Sequence, residues 1–536
     1  MQVRGRRLVA VIVLAAMASG QSPVVQPGGA WRADEVARVA TAAGASPGER
    51  EGAVRLYGRR GGPVWHDPAG HPTPAAVEVR TLLAGLDAHG LVPRVYAAPP
   101  ARDLGDVARA DVALTIASLR AMRHLHLGRV DPRTLGWTLP TWAEPHDFAQ
   151  TLEAGLEAGT PARAIADLAP PFALYRRLVA ALARYRALAA AAPLPMMPAG
   201  TTAVRPGDVG PTAALRARLV AFGDLGAAAA ADPTGRYDGE VVEAVRRFQR
   251  RHGLSADGVL GARTRAALAV SPATRAWQIT LALERLRWLP DLGARRLVAV
   301  NIPMFRLWAW DTALDDDVPA LAMDVIVGRA VRTQTPVFVD VMERVIFRPY
   351  WNIPPSILRG EVLPAVRRDA GYLARQHMEV VRGEGDDGRI VPFDGAALAG
   401  LAAGALRVRQ RPGPHNALGL VKFVFPNDAS VYMHGTPTPG LFARDRRDFS
   451  HGCIRVADPP ALARWALGWQ RQAWPAERIA EAMAGRDNTA VALDAPIDVA
   501  IFYLTAAVLP DDGALHFAED LYGHDARLSR ALAALD

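Results

Sequence analysis

The first part of the chain carries apolar residues at the intervals expected of helices. Within residues 31–190, the stretches AAVEVRTLLAGLDAHGL and DVALTIASLRAMRHLHLGRVDP place apolar side chains three and four positions apart, which lines one face of an α-helix. The two stretches end at or near Gly90 and Gly128, as helices commonly end at glycine. The pattern predicts a helical domain over residues 31–190.

Residues 191–206 interrupt this pattern with a stretch rich in Pro and Ala, which predicts a linker. The next unit, residues 207–270, is predicted to contain three short helices. Its first two segments each place three large apolar residues on one helical face: Leu215, Leu219 and Phe222, then Val241, Val245 and Phe248. We therefore expect a compact three-helix domain here.

From residue 296 the spacing of apolar residues changes to that of strands. LVKFVFP alternates Val421, Phe423 and Phe425 with other residues, and SVYMHG then brings His434 to a strand end. FSHGC follows after a loop rich in Gly and Pro and contains Cys453. We expect a β-rich domain over residues 296–475 that displays these two side chains at strand ends or in loops, where catalytic groups are commonly found.

A stretch rich in Pro and aromatic residues, PYWNIPPSILRGEVLPAVRRDAGYLARQH, interrupts the strands and then becomes helical in pattern. It predicts a helical insertion over about residues 349–405 that caps the site. Residues 476–536 are expected to pack on the β-rich domain as a C-terminal extension. The fold class is thus multidomain α+β.

Composition and charge favour a folded, exported protein. The chain has 536 residues, of which 50% are hydrophobic and 22% charged, as in globular proteins of several domains. Its net charge of +8 favours an anionic partner, and the lack of a basic run with interleaved aromatic residues argues against nucleic acid. MQVRGRR followed by LVAVIVLAAMA and SGQS has the layout of a secretory signal peptide, so residues 1–22 predict export to the periplasm. An uncleaved membrane anchor is the alternative.

Cys453 is the only cysteine in the sequence. It cannot form a disulfide within the chain, and an idle exposed thiol is a liability in an oxidising compartment. It is therefore a nucleophile, a buried inert side chain, or a zinc ligand together with His415, His434 and His451. Polar residues on both sides argue against burial, and the lack of HExxH and CxxC argues against zinc.

Acyl transfer by a thiol needs a base, a group that orients the base, and donors for the oxyanion. His434 is the candidate base, and a backbone carbonyl such as that of Gly435 can fix its tautomer. Gly452 allows the backbone to approach a substrate closely and to turn its N–H groups toward an oxyanion. Ser450 and His451 are expected to support this turn.

The motif resembles the signature of YkuD-type L,D-transpeptidase catalytic domains. In that signature a histidine and a spacer precede Ser/Thr-His-Gly-Cys-x-Asn/Arg, and here fifteen residues separate His434 from SHGCIR. VNIPMFRLW, PYWNIPPSI and RQRPGPHNALGLVKFVFPN resemble the large periplasmic members, which join a helical scaffold, a peptidoglycan-binding domain and a catalytic domain with a capping insertion. RPGD, YDGEVVEAVRRFQRRHGLSADGVLG and TRAAL resemble a peptidoglycan-binding domain of three-helix type. Gly435 departs from the pattern, where an acidic or hydroxyl residue is frequent.

The resemblance implies a role for each residue of the motif. Cys453 would be the nucleophile and His434 its base, with the Gly435 carbonyl orienting the ring. Backbone amides near Gly452 and Cys453 would form the oxyanion hole. Arg455 is implied either to steady the loop or to meet a substrate carboxylate. Tyr432, Trp351 and Asn416 are implied to line the substrate site.

The reaction implied by the resemblance forms 3–3 cross-links in peptidoglycan. The thiolate attacks the third residue of a tetrapeptide stem, D-alanine leaves, and the amine of a neighbouring stem takes the acyl group from the thioester. We expect no metal or cofactor, and we expect stem peptides, glycan and other cell-wall synthesis enzymes as partners. Water or a protein amine as acceptor, and a non-catalytic wall-binding scaffold, are the alternatives.

Overall fold

The computed structural model describes residues 31–137, 139, 146–197, 202–210, 212–230, 236–290, 295–312 and 318–535. The predicted signal peptide, residues 1–22, and residues 198–201 of the predicted linker lie outside these ranges. Among the helices within these ranges, none combines the length and hydropathy needed to cross a bilayer. The chain divides into two compact units: residues up to Gly85, Val92–Met122 and Asp147–Ala166 form the first, and Leu86–Leu91, Arg123–His146 and the residues from Asp167 onward form the second.

The first unit is helical, as its apolar spacing predicts. Its helices are α1 (Ala33–Ala42), α2 (Pro47–Arg60), α3 (Pro74–Ala84), α4 (Val107–Leu127, which continues into the second unit), α5 (Phe148–Glu157) and α6 (Pro161–Ala166). Ser46 and Glu49 form a capping box at the start of α2, which satisfies backbone N–H groups that a helix start leaves unpaired. The buried carboxylate of Asp111 accepts hydrogen bonds from the Tyr57 hydroxyl and the Trp65 N–H, which fixes α4 against α2.

The second unit holds the remaining helices of the described chain. They are α7 (Ala173–Ala190), α8 (Thr212–Phe222), α9 (Gly239–Arg251), α10 (Ala262–Ala269), α11 (Pro272–Leu286), α12 (Pro355–Ile357), α13 (Leu363–Arg368), α14 (Tyr372–Arg375), α15 (Gly395–Ala402), α16 (Pro459–Ala466), α17 (Ala476–Ala484) and α18 (His524–Ala533). Helices α8, α9 and α10 are the three predicted for residues 207–270. Val204 pairs with Leu260, so the end of the predicted linker belongs to this three-helix domain.

The described residues of the second unit also form fifteen strands. They are β1 (Leu297–Asn301), β2 (Arg306–Trp310), β3 (Leu321–Gly328), β4 (Phe338–Phe347), β5 (Trp351–Asn352), β6 (Met378–Arg382), β7 (Arg389–Val391), β8 (Arg407–Gln410), β9 (Val421–Val424), β10 (Met433–His434), β11 (Asp448–Ser450), β12 (Ile454–Val456), β13 (Thr489–Phe502), β14 (Ala506–Val508) and β15 (Leu515–Phe517). The β-rich domain predicted from residue 296 onward is therefore present.

Nine of these strands form one sheet in the order β11-β3-β12-β10-β9-β4-β13-β1-β2. Because β2 also pairs with β3, the sheet closes on itself. Six of the nine strand pairings in this sheet are antiparallel, and three are parallel: β10 with β12, β11 with β3, and β1 with β13. One face of the sheet encloses the main apolar core, which includes Val300, Val325, Val345, Phe423 and Met433. Alternating apolar residues in these strands supply that face.

The C-terminal residues have a larger part in this sheet than the sequence predicts. β13 pairs with β4 on one side and with β1 on the other, so residues 489–502 lie inside the sheet. The expectation that residues 476–536 pack on the β-rich domain as an extension is therefore corrected. Strand β13 of this segment is part of the sheet itself. A register shift between Ala492 and Ile497 interrupts the alternation that would have identified one long strand.

The insertion is also more than a set of helices. Strands β5, β8, β6 and β7 form a separate four-stranded sheet, which carries the insertion to Gln410 and beyond its predicted end at residue 405. A π-helical turn, Leu358–Val362, continues from α12. The insertion has its own apolar cluster, which includes Ile353, Val380 and Val408. Strands of two to five residues carry too little alternation to be recognised from sequence.

Candidate functional site

Two short neighbouring strands bring the predicted histidine and cysteine onto one face of the sheet. β10 and β12 run parallel, with Met433 opposite Ile454 and His434 opposite Arg455. Met433 and Ile454 are fully buried in the core. Because successive side chains of a strand point to opposite faces, His434, Arg455 and the adjacent Cys453 lie on the other face.

Lys422 joins this face from β9, where it pairs directly with His434. Its ammonium nitrogen lies 4.0 Å from the centroid of the Tyr432 ring. Lys422 is not among the site residues predicted from the sequence, although a signal for it is present. It lies between the buried Val421 and Phe423 in an alternating strand, which places it on the face opposite the core.

The imidazole of His434 is buried and its tautomer is fixed. Nδ1 donates a hydrogen bond of 2.6 Å to the carbonyl oxygen of Gly435, which leaves Nε2 as the proton acceptor. Burial, with the positive charge of Arg455 nearby, lowers the pKa of His434 to about 3. The ring is therefore neutral over the physiological range and able to take a proton.

The loop behind His434 is held by Asn416, which is 1% exposed. Its side-chain amide donates to the carbonyl of Pro349 at 3.0 Å and accepts from the N–H of Leu418 at 2.8 Å. The carbonyl of Leu418 in turn contacts the His434 ring. These contacts correct the expectation of a substrate contact for Asn416, because its polar atoms are committed to the backbone.

Cys453 is half-buried beside Tyr432. Burial raises the pKa of the thiol, while the nearby N–H and hydroxyl of Tyr432 and the charges of Lys422 and Arg455 oppose that rise. The sulfur lies 3.9 Å from the carbonyl oxygen of Ser430, a residue with φ of 54° that the sequence did not single out. At rest the cysteine is thus a neutral thiol surrounded by groups that favour its thiolate.

The turn before Cys453 is tightly hydrogen-bonded. Gly452 has φ of +117°, which favours glycine, and its N–H donates to the Ser450 hydroxyl at 3.1 Å. The Ser450 hydroxyl donates in turn to the Cys453 carbonyl at 2.5 Å. Of the two predicted oxyanion donors, the Gly452 N–H is therefore engaged by Ser450. The N–H of Cys453 itself has no acceptor among the described residues and is the better candidate.

Two contacts connect the insertion to the site. The indole of Trp351 and the thiol of Cys453 both lie close to the Tyr432 hydroxyl, whose pKa is raised by burial. Nε2 of His451 donates to the Glu361 carboxylate, in the π-helical turn, at 2.8 Å. Trp351 and Tyr432 thus lie at the thiol, and His451 faces the insertion and not the sulfur.

The candidate zinc ligands do not form one group. His415 stacks on His377 with ring centroids 4.8 Å apart. Within the described residues there is no group of three or more His, Cys, Asp or Glu side chains arranged to hold a metal ion.

Three segments of the chain match known protein families. Residues 295–491 match YkuD, the L,D-transpeptidase catalytic domain. Residues 52–182 match a family described as the scaffold domain. Residues 210–268 match a family described as "Putative peptidoglycan binding domain". The resemblance inferred from the sequence motifs is confirmed.

Two individual proteins are similar to parts of this chain. A protein of Haemophilus influenzae named "Putative L,D-transpeptidase" is 29% identical over 254 residues, which are 47% of this chain and 49% of that protein. The chain thus spans about half the length of the curated relative it matches. The crystal structure of an L,D-transpeptidase from Xylanimonas cellulosilytica is 16% identical, with 57% of this chain and 100% of that one covered, at a TM-score of 0.17. From the family matches, the chain carries a YkuD-type L,D-transpeptidase catalytic domain together with a scaffold domain and a peptidoglycan-binding domain.

Proposed function

We propose that this protein is a peptidoglycan L,D-transpeptidase that forms 3–3 cross-links through an acyl-enzyme on Cys453. The observation that carries the proposal is the placement of Cys453 and His434 on one sheet face, with the tautomer of His434 fixed by the Gly435 carbonyl. A thiol beside a neutral imidazole is the arrangement that acyl transfer by cysteine requires. The match to the L,D-transpeptidase catalytic domain supplies the class of substrate.

In the first half-reaction His434 takes the thiol proton on Nε2 and the thiolate attacks the carbonyl carbon of the third stem residue. The carbonyl oxygen becomes negative in the tetrahedral intermediate, and the Cys453 N–H is the donor available to it. When the intermediate collapses, the C–N bond breaks, and His434 gives its proton to the departing amine of D-alanine. A thioester remains on Cys453.

In the second half-reaction the side-chain amine of a neighbouring stem attacks the thioester. His434 removes a proton from this amine and returns one to the sulfur as the C–S bond breaks. The new amide is the 3–3 cross-link and the enzyme is restored. Because the buried His434 resists protonation, the imidazolium forms only while an adjacent thiolate or oxyanion balances its charge.

The three-helix domain supports a wall substrate. It contacts the segment that leads to residues 450–453, which we call the catalytic turn. Ser255 donates to the Asp445 carboxylate at 2.7 Å, and Arg263 lies 3.2 Å from the same carboxylate. We infer that this domain holds peptidoglycan near the catalytic face. Export to the periplasm, predicted from residues 1–22, belongs to the same proposal because the substrate lies outside the cytoplasm.

Purified tetrapeptide muropeptides test the proposal directly. The wild-type protein is expected to give cross-linked dimers, Cys453→Ala none, and His434→Ala close to none. His415→Ala is the matched control, because this exposed histidine stacks on His377 away from the thiol, and its dimer yield should be unchanged. Tripeptide products without dimers would identify water as the acceptor. Undiminished dimers with Cys453→Ala would refute the mechanism.

A further inference from the structure

Two cations beside the thiol lack the anionic partners that such groups normally have. Arg455 and Lys422 both lie on the face that carries Cys453 and His434. Within the described part of the chain, neither side chain forms an ion pair with a carboxylate. Partly buried charges without a counter-ion cost free energy, so a site that keeps two of them calls for an explanation.

Arg455 is the clearer case. No hydrogen bond from its guanidinium is formed to any residue that the structure describes, and its Nε is fully buried without a partner. Burial lowers the pKa of its guanidinium, and the nearby positive charge of Arg329 lowers it further. Among the described residues, the charge that would stabilise Arg455 is that of the Cys453 thiolate, and at rest Cys453 is a neutral thiol.

Lys422 interacts weakly with an aromatic ring and, at a longer distance, with one carboxylate. Its ammonium lies over the Tyr432 ring, and burial lowers its pKa. The acid that attracts it is Asp386 of the insertion, beyond ion-pair distance. The Asp386 carboxylate is held elsewhere, since it accepts hydrogen bonds from Asn352 at 2.8 Å and from Asn488 at 3.3 Å. Lys422 is therefore left with capacity for another anion.

We propose that Lys422 and Arg455 form a carboxylate-binding site for the free C-terminal carboxylate of the donor stem. This inference rests on the proposed function, in which the last stem residue leaves in the first half-reaction. Its carboxylate lies three covalent bonds from the carbon that Cys453 attacks. Arg455 is two residues along the strand from Cys453, a spacing of about 7 Å, so its guanidinium can reach that carboxylate.

A carboxylate site at these two cations would account for the tetrapeptide donor of the proposed function. A stem that ends directly after the leaving residue presents a carboxylate to the two cations. A stem with one more residue, or one capped as an amide, presents a neutral group and leaves both charges unpaired. Lys422 is thus a specificity-determining residue that recognises where the donor peptide ends.

Two synthetic tetrapeptide donors test this, one with a free C-terminal carboxylate and one with a carboxamide, in assays of release of the terminal residue. The wild-type enzyme is expected to prefer the carboxylate about ten- to hundredfold in kcat/KM, as the loss of one charge-assisted hydrogen bond implies. Lys422→Gln should lose about tenfold on the carboxylate donor, mainly through KM, and little on the carboxamide. Lys422→Arg should restore the preference, and Arg471→Gln, which removes an exposed charge, should not alter it.

The outcomes separate this inference from the proposed function. Equal turnover of the two donors by the wild-type enzyme would overturn the carboxylate site while leaving the acyl-enzyme in place. Equal losses on both donors with Lys422→Gln, with slower alkylation of Cys453 by iodoacetamide at neutral pH, would overturn it in favour of thiolate stabilisation. Failure of the wild-type enzyme to form a thioester with either donor would refute the proposed function itself.

Discussion

The hydroxyl of Thr335 donates a hydrogen bond of 2.8 Å to the carbonyl of Gly452, the residue directly before Cys453. The same hydroxyl accepts from the Gly328 N–H at 2.9 Å, and the hydroxyl of Tyr522 donates to the Gly328 carbonyl at 2.6 Å. The catalytic turn is thereby connected through β3 to the C-terminal segment. The position of the thiol thus depends on residues distant in sequence.

We predict that Thr335→Val impairs catalysis more than stability explains. Valine keeps the volume but leaves the Gly452 carbonyl without its donor, which should cost about 1–3 kcal/mol of unfolding free energy and lower the rate of thioester formation about tenfold. Thermal unfolding and single-turnover acylation measure the two effects. Thr280→Val is the control, because its buried hydroxyl bonds only within α11. Equal acylation rates for the two variants would contradict a role of Thr335 in positioning the turn.

Gly419→Ala should displace the carbonyl that fixes His434. Gly419 has φ of +66°, and a Cβ there would lie 2.7 Å from the N of Thr436 and 2.8 Å from the carbonyl carbon of Gly435. The backbone must shift to accommodate the new Cβ. We therefore expect the free energy of unfolding to fall by about 1–3 kcal/mol because of backbone strain, and the activity to be strongly reduced. Gly404→Ala is the control, with φ of +77° and open space around its Cβ. A rate for Gly419→Ala as high as that for Gly404→Ala would refute this account.

Stability should decrease as the pH falls below the ordinary pKa of histidine. Burial lowers the pKa of His524 and of His89 to about 4, each in a site with nearby arginines. Between about pH 4 and 6.5 the unfolded chain binds protons that the folded chain does not, so the free energy of unfolding falls by about 1.4 kcal/mol per pH unit for each such group. Thermal unfolding from pH 7 to 4.5 measures this, and His524→Gln should reduce the slope. A melting temperature independent of pH over this range would contradict it.

Protonation of His434 should not reduce the activity at any pH above about 4. Its lowered pKa keeps the base neutral, whereas the raised pKa of Cys453 makes thiolate formation limiting. The rate of Cys453 alkylation by iodoacetamide should therefore rise with pH through the neutral and alkaline range. A plateau reached by pH 6 would indicate a preformed thiolate–imidazolium pair and would contradict this description.

Glu361→Gln should loosen the insertion from the catalytic turn. The charged acceptor of the His451 hydrogen bond is lost, and the side chain of Glu361 is half-exposed, so we expect little effect on global stability. A rise in KM of about two- to fivefold with faster protease cleavage inside residues 351–410 is the expected result. Glu384→Gln, an exposed position of the insertion, is the control. Identical cleavage rates for both variants would show that the contact does not hold the insertion.

The sequence predicted the parts of the fold that depend on local pattern. The strands around Val421 and His434 and the helices of residues 207–270 were recoverable because one face of each is apolar. The four-stranded sheet of the insertion was not, because its strands are short. The central position of β13 in the sheet could not be predicted from the sequence either. Its pairing with β4 and β1 joins segments about 150 to 200 residues apart in the chain.

The candidate site likewise contains residues that a sequence motif predicts and residues whose roles only the folded structure reveals. Cys453, His434 and the Gly435 carbonyl lie close in sequence, so their relationship follows from a motif and a turn. The roles of Asn416 and Thr335 depend on the backbone atoms they meet after folding, which no spacing reveals. For Lys422, strand alternation predicts the face of the sheet on which it lies, but only the structure shows that it has no ion-pair partner among the described residues.

The central claim is that Cys453 carries the acyl group, and intact-mass measurement of the protein with a tetrapeptide donor and no acceptor amine tests it most directly. The wild-type chain should gain the mass of the donor less D-alanine, and a carbapenem should likewise add its mass, with both adducts located by peptide mapping to the segment that contains Cys453. Cys453→Ala should show neither adduct, and His434→Ala should form the donor adduct far more slowly. An adduct that persists in Cys453→Ala, or dimer formation without any adduct on Cys453, would contradict the account.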